Sequence, residues 1–136
     1  MQWAELFCRD SNKTVGQLVS SLKEAGERRG FMIHNEDKMQ MAKTFGSHGV
    51  QVADGFDLHM IQFCKPQKAA NSLQKNPERA ALMPKFVMVF SQDGVTKIRF
   101  LRYNRPMLEA LVDDEEFSSS VAATYSEIAT VIEEAI

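Results

Sequence analysis

The sequence has few of the features that mark specialised protein classes. Its 136 residues include only two cysteines, Cys8 and Cys64, and no Cys-x-x-Cys pair, so we exclude a disulfide scaffold and expect free thiols in a reducing cytoplasm. Residues 1–10 have neither a basic region nor an apolar run, which argues against a secretory signal. No stretch approaches the ~18 consecutive apolar residues of a transmembrane helix, so no membrane partner is predicted.

Positive charge and catalytic motifs are also scarce. Sixteen Lys and Arg stand against 18 Asp and Glu, giving a net charge of −2, and there are one Trp and two Tyr. This balance argues against a nucleic-acid partner, because such proteins use cations to neutralise phosphates. No phosphate loop, nucleophile elbow or dinucleotide glycine motif is present. We therefore lean towards a non-enzymatic protein; no cofactor is predicted, and the sequence leaves a haem or a metal open.

What remains is an ordinary globular composition. Hydrophobic residues make up 44% and charged residues 25% of the chain, whose mass is 15.4 kDa. Area scaling predicts that about two-thirds of the surface of such a chain is buried on folding. Residues 1–136 are therefore expected to form a single domain with a core that needs neither disulfides nor a structural metal.

Two long amphipathic helices are predicted, one near each end of the chain. The first opens with a capping box at Thr14 and Gln17 and stops at Gly30. The last is predicted to begin with a cap from Asp113 to Glu116. Its buried stripe follows the helical period of three and four residues and consists of Phe117, Val121, Tyr125, Ile128 and Ile132.

Five apolar runs predict strands, and three shorter segments predict inserted helices. The strands are residues 3–8, 31–34, 58–64, 86–90 and 96–103. The inserted helical segments are residues 39–45, a short helix at 67–75 followed by a further turn at 76–83, and residues 104–112. The order is β-α-β-β-β-β-α with short inserted helices. A hairpin signal at residues 92–94 favours antiparallel pairing, so the predicted fold is a two-layer α+β domain with a mostly antiparallel sheet.

The central segments resemble the uncharacterised family named domain of unknown function 302. The stretches that carry the resemblance are Glu27-Arg28-Arg29-Gly30-Phe31, Phe63-Cys64-Lys65-Pro66, Ala70-Asn71-Ser72-Leu73-Gln74-Lys75-Asn76-Pro77 and Leu82-Met83-Pro84-Lys85-Phe86-Val87. The resemblance implies a TATA-binding-protein-like fold and a homodimer, but no established activity. The family usually has Cys-Asn-Pro at Cys64-Lys65-Pro66 and often a second cysteine at Lys85, so a role that needs two thiols is in doubt here.

Cys64 is the most interesting candidate for a ligand site. It ends a predicted strand just before a helix that starts at Pro66, so the positive end of that helix lies close to its sulfur. Lys65, and Lys85 if it occupies the position of the family's second cysteine, would favour the thiolate further. The alternative is that Cys64 is a small buried hydrophobic residue, as free cysteines often are.

Histidines and methionines are weaker candidates. His59 lies five residues before Cys64 on the same strand, so the two side chains point to opposite faces, and His34 lies on the neighbouring strand. Both are candidate ligand-binding residues, although a solvated or core histidine is the simpler interpretation. The three histidines lack metal-ligand spacing, so no metal site is predicted. Eight methionines could soften an apolar pocket, with core filling as the alternative.

Charge is unevenly distributed along the chain. Basic residues concentrate between Lys65 and Arg105, whereas the segment from Glu109 to Glu134 is acidic. This asymmetry could create a positive groove for a small anion, or it could reflect two solvated faces of opposite sign. The acidic residues at 113–116 are explained by the dipole at a helix start.

We predict a small-ligand-binding or interaction module, a homodimer with a pocket near Cys64, Lys65 and Lys85. The ligand would be small and either anionic or apolar. The alternative function is a thiol-dependent redox or sulfur-handling protein that uses Cys64. The homodimer prediction has its own argument: strand 86–90 is apolar on both faces, yet the two long helices cover only one face of the sheet, and a second copy could cover the other. Alternatively, the short inserted helices at residues 39–45 and 67–83 could fold across that face.

Overall fold

The computed structural model describes residues 2–136, and its centre is one antiparallel sheet of five strands in the order β1-β5-β4-β3-β2. Each neighbouring pair is antiparallel. The predicted α+β class and the predicted order of strands and long helices are confirmed. The strands are β1 (Ala4–Ser11), β2 (Met32–Ile33), β3 (Leu58–Cys64), β4 (Lys85–Gln92) and β5 (Val95–Tyr103).

Two long helices cover one face of this sheet. The helices are α1 (Val15–Glu27), α2 (Met41–Ser47), α3 (Pro66–Lys75), α4 (Arg105–Leu111) and α5 (Glu115–Ala135), with a 3₁₀ segment at Pro77–Leu82. The predicted capping box of α1 is present: Thr14 Oγ1 accepts from the Gln17 N–H at 3.2 Å, and Gln17 Oε1 accepts from the Thr14 N–H at 3.0 Å. Within residues 2–136, no helix is long and apolar enough to cross a membrane.

The core lies between α1, α5 and the helix-facing side of the sheet. Val87 and Val89 are fully buried there. Gly26 of α1 packs directly on the Phe63 ring, since a Cβ at residue 26 would lie 2.8 Å from Phe63 Cε1. The Phe63 ring also meets Phe31 edge-on, with 5.8 Å between the centroids. This close approach of α1 to β3 fixes one wall of the site described below.

The opposite side of the sheet, which we call the open face, remains partly apolar. Leu6 and Leu101 are directly paired there and are 55% and 49% exposed. Phe86 and Met88 alternate with the buried Val87 along β4, so they lie on the open face, where they are half-buried. The predicted two-sided apolar character of this interior strand is confirmed.

The segments after β3 do not cover the open face. Lys75 and Arg79 form ion pairs with Glu116 and Asp114 of α5, so α3 and the 3₁₀ segment lie on the side of the long helices. The segment before α2 lies along the outer edge of β3, where the Met60 N–H donates to the Met39 carbonyl at 2.9 Å. Helix α3 and the 3₁₀ segment are therefore excluded as the elements that cover the open face in place of a second copy.

Two predicted boundaries were wrong for identifiable reasons. Helix α2 begins at Met41 rather than at residue 39, because Met39 and Gln40 pair with β3. The N-cap of α5 is Asp114, not Asp113, and its carboxylate accepts from the Phe117 N–H at 3.1 Å. The helix dipole alone does not explain Asp114, since the same carboxylate also holds Arg79.

Candidate ligand-binding site

A cavity of about 420 Å³ lies where the end of β3, helix α3, the start of β4 and helix α5 meet. We call it the α3 cavity. Its walls are mostly apolar, and among the described residues that line it there is no Asp or Glu. The lining includes Phe31, His34, Gln62, Phe63, Cys64, Lys65, Lys68, Ala69, Ser72, Leu73, Met83, Lys85, Phe117, Ser120, Val121 and Thr124.

The local sequence explains why a cavity forms at this point. Pro66 occupies the first turn of α3, so the chain leaves β3 at Cys64 and turns into the helix within two residues. The N-cap residue, Lys65, makes no side-chain hydrogen bond to the first turn. The positive end of the α3 dipole therefore lies at the rim of the cavity without a side-chain cap.

Lys85 is the most unusual side chain in the cavity. It is only 8% exposed, and its Nζ donates to the Met83 carbonyl at 3.0 Å. Within residues 2–136 it forms no ion pair. Burial lowers the pKa of Lys85 to about 8, with a further lowering from the Lys68 charge and an opposing effect of Cys64. A buried ammonium without a carboxylate is costly to the fold.

Cys64 lies beside Lys85, as the resemblance implied, but the expected activation is not the dominant effect. Burial raises the pKa of the Cys64 thiol, and the Lys85 charge lowers it by a smaller amount. The thiol form is therefore favoured. This upward shift of the pKa does not match the expectation that the helix start and the lysines together make Cys64 a thiolate.

Three residues of the basic central segment pair with acidic residues of the C-terminal helix and its N-cap. Lys65 Nζ lies 2.8 Å from Glu127 Oε2, Lys75 Nζ lies 3.0 Å from Glu116 Oε1, and Arg79 Nε lies 2.7 Å from Asp114 Oδ2. These pairs join the two oppositely charged regions that the sequence showed. Of the three lysines that line the α3 cavity, only Lys68 and Lys85 lack an acidic partner among the described residues.

Lys68 reaches the cavity from the opposite wall. Its Nζ donates to the Thr124 hydroxyl of α5 at 3.0 Å, and that hydroxyl donates to the Ser120 carbonyl at 3.0 Å. The effect of Lys68 on the pKa of Lys85 shows that the two amines share one electrostatic environment. Two cations thus act on a space that no carboxylate of the described residues enters.

A larger groove of about 560 Å³ lies along the outer side of α3, but it is a weaker site. Its cations include Lys75 and Arg79, which already hold carboxylates of α5. The third space, of about 400 Å³, is lined by Glu5 and Arg102, which are also paired with each other. Lys68 lines both the larger groove and the α3 cavity, whereas Lys85 lines the α3 cavity and neither of the other two spaces. The α3 cavity is therefore distinguished by two cations without an acidic partner among the described residues.

The structure brings four of the five candidate residues together. Cys64, Lys65, Lys85 and His34 all line the α3 cavity. His59 does not: it pairs with Val89 on the sheet, and its Nδ1 lies 3.6 Å from Asp57 Oδ1. Burial lowers the pKa of His59 against the opposing charge of Asp57. Within residues 2–136, no group of three or more His, Cys, Asp and Glu side chains could hold a metal.

Sequence reasoning did not single out Lys68 and Thr124. Lys68 belonged to the basic run but had no feature that separated it from Lys75 or Arg79. A signal does exist in the spacing, since Lys65 and Lys68 are three residues apart and so share one face of α3. Which of them finds an acidic partner depends on α5, about 60 residues further along the chain.

Comparisons with known proteins agree with the fold. The family described as Domain of unknown function DUF302 matches residues 7–135. A solved structure described as the crystal structure of an uncharacterized conserved DUF302 protein from Bacillus stearothermophilus is similar, with a TM-score of 0.76 and 18% sequence identity. The match covers 96% of this chain and 98% of the other. No curated protein matches. At this identity the similarity supports the fold alone.

Proposed function

The chain belongs to the DUF302 family, whose description assigns no function, and we propose from its own site that it binds small anions with an apolar portion. The site is the α3 cavity, and the protein acts as a homodimer through the open face. The observation that carries the proposal is the pair Lys68 and Lys85, two cations at one cavity without an acidic partner among the described residues.

The free-energy cost of burying the Lys85 ammonium without a carboxylate supports an anionic ligand. Its ammonium has one carbonyl acceptor, from Met83, in place of the water it had in the unfolded chain. A carboxylate or a phosphate in the cavity would supply the missing charge and would raise the pKa of Lys85 again. Lys68 on the other wall and the uncapped start of α3 add positive potential at the same place.

The walls support an apolar portion of the ligand. Phe31 and Phe63 contribute ring surface, and Leu73 and Val121 contribute aliphatic surface from α3 and α5. A volume of about 420 Å³ falls in the usual range for small-molecule sites, about 300–1,000 Å³. The fitting class is an aromatic or short aliphatic acid rather than an inorganic ion.

Calorimetric titration with 4-methylbenzoate and its neutral analogue 4-methylbenzamide tests this proposal. We expect the wild type to bind the carboxylate at least about tenfold more tightly, because charge-assisted hydrogen bonds favour the anion. Lys85→Met should remove that preference. Lys97→Met is the matched control, since Lys97 contacts Gln92 on the sheet and lies outside the cavity. If no carboxylate or phosphate ester of a small aromatic and aliphatic panel binds at millimolar concentration, the proposal is wrong.

The open face supports the homodimer. Leu6 and Leu101 are adjacent, half-exposed and continuous with the half-buried Phe86 and Met88. Covering such a patch with a second copy is favoured by ~25 cal/mol per Å² of apolar surface. Light scattering at ~10 µM should give about twice 15.4 kDa. Leu101→Lys should give the monomer, whereas Leu111→Lys, at an equally exposed residue of α4, should not.

The thiol alternative remains a separate proposal. In its favour, Cys64 lies in the same cavity as Lys85, whose charge lowers the pKa of the thiol. Burial acts in the opposite direction and is the larger effect. The rate of iodoacetamide modification at pH 6–7 separates the two: a rate no faster than that of a model thiol with a pKa of ~8.5 contradicts an activated Cys64.

Three further expectations stay predictions. The cytoplasmic location follows from the sequence arguments given above, and the TATA-binding-protein-like fold type follows from the family resemblance. The absence of a nucleic-acid partner follows from the net charge of −2. Salt-dependent binding of a generic duplex at micromolar protein would contradict the last of these.

A further inference from the structure

We infer that Lys85 binds carbonyl compounds covalently, as a reversible imine, and that the natural ligands of the α3 cavity include aldehydes or keto acids that carry a carboxylate. The inference rests on the proposed function, because the carboxylate is held by the second cation of the cavity. It goes further by naming the nucleophile and the functional group that it attacks.

The position of Lys85 is that of a nucleophile rather than of a structural cation. It is the first residue of β4, and it is nine-tenths buried at the wall of a cavity large enough for an aromatic acid. The other charged and titratable groups that line the cavity are His34, Cys64, Lys65 and Lys68, and Lys65 is paired with Glu127 of α5. Among the described residues, none of these side chains forms a hydrogen bond or an ion pair with Lys85. The Lys85 amine donates to the Met83 carbonyl instead.

The protonation state of Lys85 supports the same role. A lysine attacks a carbonyl only as the neutral amine, and desolvation beside another cation is a known way to favour that form. Because burial and Lys68 lower the pKa of Lys85 to about 8 from 10.5, the neutral amine at pH 7 is enriched on the order of 100-fold over an exposed lysine.

The reaction balances without an oxidant or a reductant. The Lys85 ammonium first gives a proton to solvent, and the Nζ lone pair then forms a bond to the carbonyl carbon. The carbonyl oxygen takes up a proton from solvent, the nitrogen releases one to solvent, and a carbinolamine results. The hydroxyl oxygen then takes up a second proton, the carbon–oxygen bond breaks as the nitrogen lone pair closes the C=N bond, and water leaves. The iminium finally releases its remaining N–H proton to solvent, which gives the neutral imine. The sum is amine plus carbonyl compound to imine plus water, and hydrolysis reverses it.

Lys68 gives the reaction its selectivity. Its Nζ, fixed by the Thr124 hydroxyl at 3.0 Å, is placed to hold a carboxylate while the carbonyl end of the same molecule meets Lys85. A neutral aldehyde lacks this second contact. We therefore expect carboxylated aldehydes to react faster than neutral ones of the same size.

Reductive trapping tests the inference on the full chain. The protein is incubated at pH 7 with 4-carboxybenzaldehyde and cyanoborohydride, and the modified lysines are located by peptide mass mapping. Lys85 should be modified at least about tenfold faster than Lys97 in the same sample. Benzaldehyde should react more slowly at Lys85, and 4-methylbenzoate should protect it. The rate at Lys85 should level off above a pH of about 8.

Two variants separate the roles, and circular dichroism verifies that each is folded. Lys85→Arg keeps the charge and removes the nucleophile, so it should yield no adduct at this site; Lys85→Met serves the same purpose if the arginine does not fit. Lys68→Met should retain the adduct but lose the preference for the carboxylated aldehyde.

The outcomes distinguish this inference from the proposed function. If 4-methylbenzoate binds but Lys85 is modified no faster than Lys97, the imine is wrong and anion binding stands. If neither occurs, both are wrong. Modification of Lys85 without any preference for the carboxylate would support the imine and overturn the anionic ligand class.

Discussion

Two buried cations, Arg79 and Lys85, are six residues apart in the chain and have different partners. Arg79 is 5% exposed and binds the Asp114 carboxylate through two nitrogens, at 2.7 and 3.0 Å, and Ser72 through a third. Lys85 is 8% exposed and has the Met83 carbonyl. Arg79 thus holds the 3₁₀ segment to the N-cap of α5, whereas Lys85 has no acidic partner among the described residues.

The two environments also shift the pKa values in opposite directions. Asp114 raises the pKa of Arg79, and the Arg79 guanidinium holds the pKa of Asp114 well below its usual range. Burial and Lys68 lower the pKa of Lys85. A partnered charge thus stabilises the fold, whereas an unpartnered one costs stability that a ligand can restore.

The largest effect is expected when the partnered cation is removed. Arg79→Met should lower the melting temperature on the order of 10 °C, because it leaves the mostly buried Asp114 carboxylate without its cation. Adding Asp114→Asn should recover part of the loss, since the unpaired charge is then removed. A melting temperature equal to that of the wild type would contradict the role of this pair.

The same ion pair predicts a loss of stability in acid. Because the folded pKa of Asp114 is depressed, its stabilisation is present above the unfolded value of ~3.9 and is lost as the pH falls below about 4. Denaturant midpoints measured at several pH values should fall less steeply in Asp114→Asn than in the wild type.

Removing the unpartnered cation should have the opposite sign. Lys85→Met should stabilise the protein by about 2 kcal/mol at pH 7, because the fold no longer buries an ammonium. Since the folded pKa of Lys85 is lowered, the wild type should gain stability as the pH rises from about 8 towards 10.5. The gain disappears in the variant. Denaturant unfolding of both proteins between pH 7 and 9 measures it as a difference, because the Cys64 thiol of the unfolded chain also titrates in this range. A destabilised Lys85→Met at pH 7 would contradict this account.

A carboxylate introduced into the α3 cavity should pair with its lysines, as Asp114 pairs with Arg79. Thr124→Asp places an acid where Lys68 now contacts a hydroxyl. We expect at least a tenfold loss of affinity for 4-methylbenzoate and a higher pKa of Lys85, because the new charge competes with the ligand. Calorimetry and the pH dependence of Lys85 modification measure the two effects. Thr130→Asp, at an exposed residue of the same helix, is the matched control.

The smallest effect is expected at the exposed ion pair of the same interface. Lys75 and Glu116 have side chains that are 62% and 67% exposed, so solvent screens their attraction. Lys75→Met should change the free energy of unfolding by less than about 0.5 kcal/mol. A loss of stability comparable to that of Arg79→Met would contradict this expectation. It would show that the contact of α3 and the 3₁₀ segment with α5 depends on the total charge rather than on the buried pair of Arg79 and Asp114.

Much of the fold follows from local sequence signals. The capping box at Thr14 and the hairpin signal at residues 92–94 are short-range patterns, and the structure has them where they were predicted. Helix α2 was displaced by two residues because the Met60 N–H donates to the Met39 carbonyl, and nothing near Met39 in the sequence shows that bond. Long-range hydrogen bonds override such local patterns.

The site was predictable only in part, for the same reason. The junction of Cys64 and Pro66 identified the cavity, and the family resemblance led to Lys85. The sequence could not show which basic residues remain unpaired, because each partner of Lys65, Lys75 and Arg79 lies at least 35 residues away. The predicted charge asymmetry is present, and three of the basic residues join α3 and the 3₁₀ segment to α5.

The packing of Gly26 on Phe63 has a consequence for which molecules the protein admits. The ring that α1 touches on one side forms a wall of the α3 cavity on the other. Any side chain at residue 26 would have to displace that ring, since even a methyl group would lie 2.8 Å from it. The size of the α3 cavity is therefore set partly by a helix that does not line it, and a substitution at residue 26 would change the cavity through the Phe63 ring.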